Sequence, residues 1–186
     1  MKIIPNTPIK VSQIPREVLN TPGVLGLTFA PGKRGPNRWG DLHQRDLQED
    51  INRLRNRYEV HHLLSLVEDH ELDMLQIPRL VETAESAGIR VRRYPIVDVT
   101  APQVKPTLPV VAEALDHLRA GQNVVVHCRG GLGRAGTLAA SILVASGINA
   151  HESIFLIRQY RPGAIEVREQ EQFILDFQAA WAHYRV

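Results

Sequence analysis

Cysteine occurs once in the 186 residues, at position 128, inside the run His127-Cys128-Arg129-Gly130-Gly131-Leu132-Gly133-Arg134. Five residues separate its thiol from the guanidinium of Arg134, enough chain to wrap an anion between them. The β-branched residues Val124, Val125 and Val126 precede the run, glycines turn it, and an apolar helical pattern follows from Thr137, so the spacing predicts strand, loop and helix. A loop that opens a helix presents unpaired backbone N–H groups and the positive end of the helix dipole, which favour a thiolate and a bound phosphate. Arg134 can hold two phosphate oxygens with its fork of donors, and the same positive field favours the ionised, nucleophilic form of Cys128. The expected roles are Cys128 as nucleophile, Arg134 as phosphate clamp, and Arg129, Gly130, Gly131, Leu132 and Gly133 as the cradle of backbone donors. His127 is expected to be a buried hydrogen-bonding support for the loop.

Other chemistries account for fewer of these residues. Gly131-Leu132-Gly133-Arg134-Ala135-Gly136 satisfies G-x-G-x-x-G, but a dinucleotide fold needs a second strand with an acidic residue after the helix. Here another helical segment follows, with Glu152 near its start. No lysine precedes Thr137, as a nucleotide-binding phosphate loop requires. The adjacent His61 and His62 fall on a strand, where neighbours face opposite sides, so they do not ligate one ion together. No metal and no cofactor is expected. A single cysteine permits no intrachain disulfide, which suits a reducing compartment.

Positioning that loop requires a sheet. Strand patterns lie at Val24–Phe29, His61–Val67, Ile89–Tyr94 and Val124–His127, separated by helical patterns at Asp46–Arg57, Glu68–Leu75, Pro78–Ala87 and the segment carrying Leu108, Val111, Leu115 and Leu118. Helices then run to the end, over Thr137–Ser146, His151–Tyr160 and Arg168–Tyr184, the last with a stripe of Phe173, Phe177, Trp181 and Tyr184 read as core. Strands alternating with helices predict one α/β domain: a central, mostly parallel sheet of four to five strands with helices on both faces and ligands beyond the carboxyl ends of the strands. Residues 1–22, with four prolines, read as an irregular arm, and Lys33, Arg34, Arg38 and Trp39 as a basic loop. The formal charge is +2, with arginine making up 18 of 22 basic residues, a balance suited to phosphate recognition rather than to nucleic acid as main partner. No signal peptide or membrane span is evident, and a cytoplasmic protein is expected.

The run His127–Arg134, together with Val24–Phe29 and Pro31-Gly32, Pro95-Ile96-Val97-Asp98, and Gly163-Ala164-Ile165, resembles the cysteine-dependent protein tyrosine phosphatase superfamily. The likeness is to its dual-specificity branch, and within that to the cyclin-dependent kinase-associated phosphatase (inhibitor 3) group. It implies a catalytic domain of the tyrosine phosphatase fold over residues 23–186, acting on phosphotyrosine and also phosphoserine or phosphothreonine of a phosphorylated protein. By the same resemblance Cys128 forms a phosphocysteine, Arg134 stabilises the transition state, and Asp98, 30 residues before the cysteine, is the general acid on a mobile loop. Gln170 matches a family glutamine that orients the hydrolytic water, and Glu166 stands where some relatives carry another. Asp41, Asp46 and Asp69 are weaker candidates for the acid. One position departs from the pattern: Ala135 replaces the serine or threonine that usually follows the arginine, which implies slow breakdown of the phosphoenzyme. Arg129, with Lys33, Arg34 and Arg38, keeps a phosphoinositide headgroup as an alternative substrate. A phosphoprotein-binding module with weak catalysis is the alternative from another class. A sulfurtransferase leaves Asp98 without a task.

Overall fold

The computed structural model describes residues 2–4, 6–37 and 40–184. In chain order the elements are β1 (Ser12–Ile14), α1 (Arg16–Leu19), β2 (Leu25–Phe29), β3 (Arg34–Pro36), β4 (Leu42–Gln44), α2 (Leu47–Arg57), β5 (Val60–Ser65) and α3 (Asp69–Met74). They continue as α4 (Leu80–Ser86), β6 (Arg90–Arg93), α5 (Val104–Arg119), β7 (Asn123–Cys128), α6 (Gly133–Ser146), α7 (Ala150–Tyr160) and α8 (Arg168–Tyr184).

The Val124–Val126 run cannot sit at a surface, and β7 is buried at every residue in the middle of a five-stranded sheet of order β1-β2-β7-β5-β6. Strands β2, β7, β5 and β6 are parallel, and β1 closes one edge antiparallel to β2. Alternation along β7 divides the core: Val124 and Val126 join a cluster under α5, α6, α7 and α8, whereas Val125 joins a second cluster under α2 and α4. Helices thus cover both faces, as expected. Because Phe29 pairs with Cys128 and Ser65 with His127, the carboxyl ends of β2, β7 and β5 finish level. The loops that follow them meet at one rim.

Some expectations are revised. The irregular arm foreseen over residues 1–22 contributes β1 and the single turn α1, with Ile9 and Ile14 fully buried. Short, proline-flanked elements of this kind leave little periodicity to read. The basic loop includes strand β3, paired with β4 in a separate hairpin, while Arg38 and Trp39 lie outside the described residues. Helix α6 begins at Gly133, four residues before the apolar pattern. The α8 stripe stacks in sequence through Phe173, Phe177, Trp181 and Tyr184, but it leaves the core as it goes, with Tyr184 41% exposed. His61 and His62 do face apart: His61 accepts from the Asn123 N–H, and His62 bonds Gln122. Among the described residues no helix is long and apolar enough to cross a membrane.

The loop after β2 is held by a buried ion pair. Asp50 of α2 accepts from the Gly32 N–H at 2.8 Å and from Arg45 Nε and Nη2 at 2.7 Å each. Arg45 also donates to the Thr7 carbonyl and lies over the Phe29 ring. Removing the carboxylate strands a buried guanidinium, so Asp50→Ala is expected to cost about 3–5 kcal/mol of stability. A lower urea midpoint with an unchanged slope is the expected reading.

Candidate active site

Cys128 is the last residue of β7, and its sulfur accepts the Gly131 N–H at 3.3 Å. The chain turns there on Gly131, whose φ is +70°. A Cβ on Gly131 would come within 2.4 Å of the Thr28 carbonyl, so glycine lets the loop lie against β2. Arg134 stands in the first turn of α6, folded back beneath the loop and 1% exposed.

That buried guanidinium is held from several sides. Its Nη1 donates to Glu71 Oε2 at 2.6 Å and to the Ile96 carbonyl at 2.9 Å, and its Nη2 donates to Glu71 Oε1 at 2.8 Å. Asp98 Oδ1 approaches Nη2 at 2.7 Å. Burial alone would push the Glu71 carboxyl up, but the hydrogen bonds from Arg134 and the Glu68 N–H outweigh it and hold the group below the ordinary glutamate value. Glu71 is a functional residue that sequence reasoning missed. Its signal was the acidic start of α3, where its carboxylate also closes a capping box on the Glu68 N–H.

The three expected chemical groups, Cys128, Arg134 and Asp98, therefore meet at the rim. Asp98 lies in the loop between β6 and α5, and its side chain is 44% exposed. The next residue, Val99, has a φ of 62°, and Ile165 across the site has 60°. Left-handed backbone at a β-branched residue is strained, and both instances flank the site. Gln170 is fully buried: its Nε2 donates to the Thr100 carbonyl at 3.1 Å, and its Oε1 accepts the Glu166 N–H at 2.9 Å. It thus ties the Asp98 loop to the start of α8. A Cβ on Gly133 would meet Glu166 Oε2 at 2.5 Å and Gln170 Nε2 at 2.9 Å, so both side chains press against the cysteine loop.

The weaker acid candidates are used elsewhere. Asp46 caps α2 through the Glu49 N–H, Asp41 accepts the Lys2 N–H, and Asp69 pairs with Arg93. Thr137, two residues beyond Ala135, donates its hydroxyl to the Gly133 carbonyl at 2.8 Å within its own helix. His127 is wholly buried, as foreseen; its Nδ1 lies 3.3 Å from the Cys128 carbonyl, and its Nε2 has no partner among the described residues. Burial pulls this imidazole down to about 4. On the β2 side of the loop the rim is cationic. Lys33 Nζ reaches the Arg129 carbonyl at 3.5 Å, and burial, then the neighbouring Arg45, pulls the amine down to about 8. The same causes, with Lys33 added, lower His43 to about 4.

A phosphatase family model, described as "Swiss Army Knife protein, DSP-PTPase phosphatase domain", matches residues 38–174. The chain belongs to that family. Cyclin-dependent kinase inhibitor 3 of Mus musculus is 28% identical over 181 residues, spanning 96% of this chain and 82% of the relative. Protein tyrosine phosphatase type IVA 3 of the same species is 40% identical over 91 residues, 46% of this chain and 50% of the relative. Among solved structures, kinase associated phosphatase with serine at its catalytic-site cysteine superposes with a TM-score of 0.86 at 24% identity, over 97% of this chain and 99% of that one. Tk-PTP in its active form gives 0.68 at 28% identity, over 83% and 91%. This phosphatase is therefore a cysteine-dependent protein phosphatase of the dual-specificity kind, with the tyrosine phosphatase fold.

The buried His127 makes stability depend on pH. From about pH 6.5 down to about 4 the unfolded chain takes up a proton on this ring that the folded chain does not, so stability falls as pH falls through that window. Unfolding free energies measured at pH 7, 6 and 5 are expected to decline, and a folded His127→Gln variant is expected to show a shallower slope.

Proposed function

We propose that this phosphatase hydrolyses phosphotyrosine, and also phosphoserine and phosphothreonine, in proteins through a phosphocysteine at Cys128. One observation carries the reading: a lone thiol, a neutralised but fully buried guanidinium and a half-exposed carboxylate converge on one loop. In the resting site Asp98 lies on Arg134 Nη2. An incoming phosphoryl group can accept from Nη2 and from Nε, which has no other partner among the described residues, as a bidentate pair, and its arrival releases Asp98 toward the leaving oxygen.

Asp98, freed from Arg134, takes a proton from solvent; the cysteine sulfur then attacks phosphorus while the bond from phosphorus to the leaving oxygen breaks, and Asp98 passes that proton to the leaving oxygen. In the second step water attacks phosphorus, Asp98 takes the water's proton, the S–P bond breaks, and inorganic phosphate and the thiolate are left. Glu71 keeps Arg134 oriented through both steps. Gln170 suits the second step, since its bonds to Thr100 and Glu166 fix the amide and leave one N–H for water. Ala135 offers no hydroxyl to the departing sulfur, and Thr137 has already committed its own, so breakdown of the phosphocysteine is the slow step.

A polyanionic headgroup is the second reading, favoured by one feature: the half-buried Lys33 amine lies against the Arg129 carbonyl, so two cations, Lys33 and Arg129, belong to this stretch of the loop. Equal losses on inositol phosphates and phosphopeptides in Arg129→Ala would remove it.

Metal-free hydrolysis of an aryl phosphate tests the main reading. Cys128→Ser is expected to abolish turnover, and Asp98→Asn to lower kcat by about 10²–10⁴-fold and flatten its pH dependence. Rapid mixing is expected to show a burst of leaving group that shrinks in Ala135→Ser, with steady turnover rising severalfold. A dead parent that still binds phosphopeptide through Arg134 would make the protein a binding module.

A further inference from the structure

Arg161 is the most unusual cation outside the residues discussed so far. It caps the carboxyl end of α7, its backbone N–H bonding the Ile157 carbonyl, and Pro162-Gly163 stops the helix behind it. An arginine at that place ordinarily faces its own helix's last carbonyls or a surface carboxylate. Here the side chain crosses instead to the cysteine loop: Nε donates to the Gly131 carbonyl at 3.0 Å and Nη2 to the Gly130 carbonyl at 3.3 Å, while Nη1 reaches Ser12 Oγ at 3.4 Å. It has no carboxylate partner among the described residues.

A trans peptide is planar, with its C=O and the following N–H pointing in opposite directions. Pinning the carbonyls of Gly130 and Gly131 on the outside of the loop therefore turns the N–H groups of Gly131 and Leu132 inward. The first of these does face the sulfur, at 3.3 Å. The carbonyl of Arg129 is treated the same way, taking the Ala30 N–H at 3.3 Å and Lys33 Nζ at 3.5 Å. Glycines permit the turn but do not choose its direction, because they accept either sign of φ.

We infer that Arg161 is a positioning residue that orients the phosphate-binding loop from outside, holding the Gly130 and Gly131 carbonyls away from the anion so that their peptides' N–H groups face it. The inference rests on the phosphatase reading for its substrate, but not for the loop geometry, which any tetrahedral oxyanion can report. Removing the two-pronged grip lets those peptides rotate and withdraws inward donors from both the thiolate and the oxyanion. Lysine keeps the charge but has one ammonium point in place of a planar fork, so it cannot restore both bonds in register.

The experiment uses the full chain with Arg161→Met and Arg161→Lys, and reads three quantities: tungstate affinity, the pH profile of Cys128 alkylation by iodoacetamide, and kcat/KM on an aryl phosphate. Both variants are expected to bind tungstate at least tenfold more weakly, to shift the alkylation profile to higher pH, and to lose at least tenfold in kcat/KM, with lysine recovering only part. If methionine at 161 prevents folding, the lysine variant decides alone. Wild-type tungstate affinity and an unmoved alkylation profile in a folded variant would overturn the inference. A parent that binds tungstate but hydrolyses nothing would overturn the proposed function and leave the loop test intact.

Discussion

A guanidinium with almost no exposed surface must be neutralised and hydrogen-bonded where it lies, and the architecture of this phosphatase follows from meeting that demand at Arg134. The two oxygens of Glu71 face two of its nitrogens, which fixes α3 against the loop. The Ile96 carbonyl ties in the segment leading to Asp98. Glu71 belongs to α3, which follows the carboxyl end of β5, and Ile96 to the loop after β6, so both contacts require the parallel sheet that brings those ends beside β7. Breaking such a pair by removing one member leaves a buried charge, which costs several kcal/mol. Stability and anion recognition are thus written into the same contact.

Much of the site could be read from the chain because its chemistry is local. Cys128 and Arg134 sit within one loop, and the elements around it, the valine run and the apolar helix, have strong periods. Asp98 was legible only through resemblance, since nothing in its own neighbourhood marks an acid. Glu71 and Arg161 were not legible. Each acts across 63 and 30 residues of sequence respectively, and each looks locally like an ordinary helix-end charge that caps or complements a dipole. Long-range pairing leaves no spacing to detect.

The same distinction explains the fold. Strands buried on both sides advertise themselves, as β5 and β7 do. The arm carrying β1 does not, because a three-residue edge strand is defined by the partner it finds, and its partner β2 is decided by tertiary contact. The hairpin of β3 and β4 was hidden for a related reason: glycine and proline signal a turn but not the pairing on either side of it.

Arg134 has an anion on Nη2, and that anion is part of the chain. Asp98 is tethered beside Nη2, so every free oxyanion must compete with a ligand at high local concentration. The competition weakens the grip on any anion, inorganic phosphate included. A site that held its product with the full force of a buried guanidinium would empty slowly. An internal carboxylate on Nη2 is a standing competitor for that place.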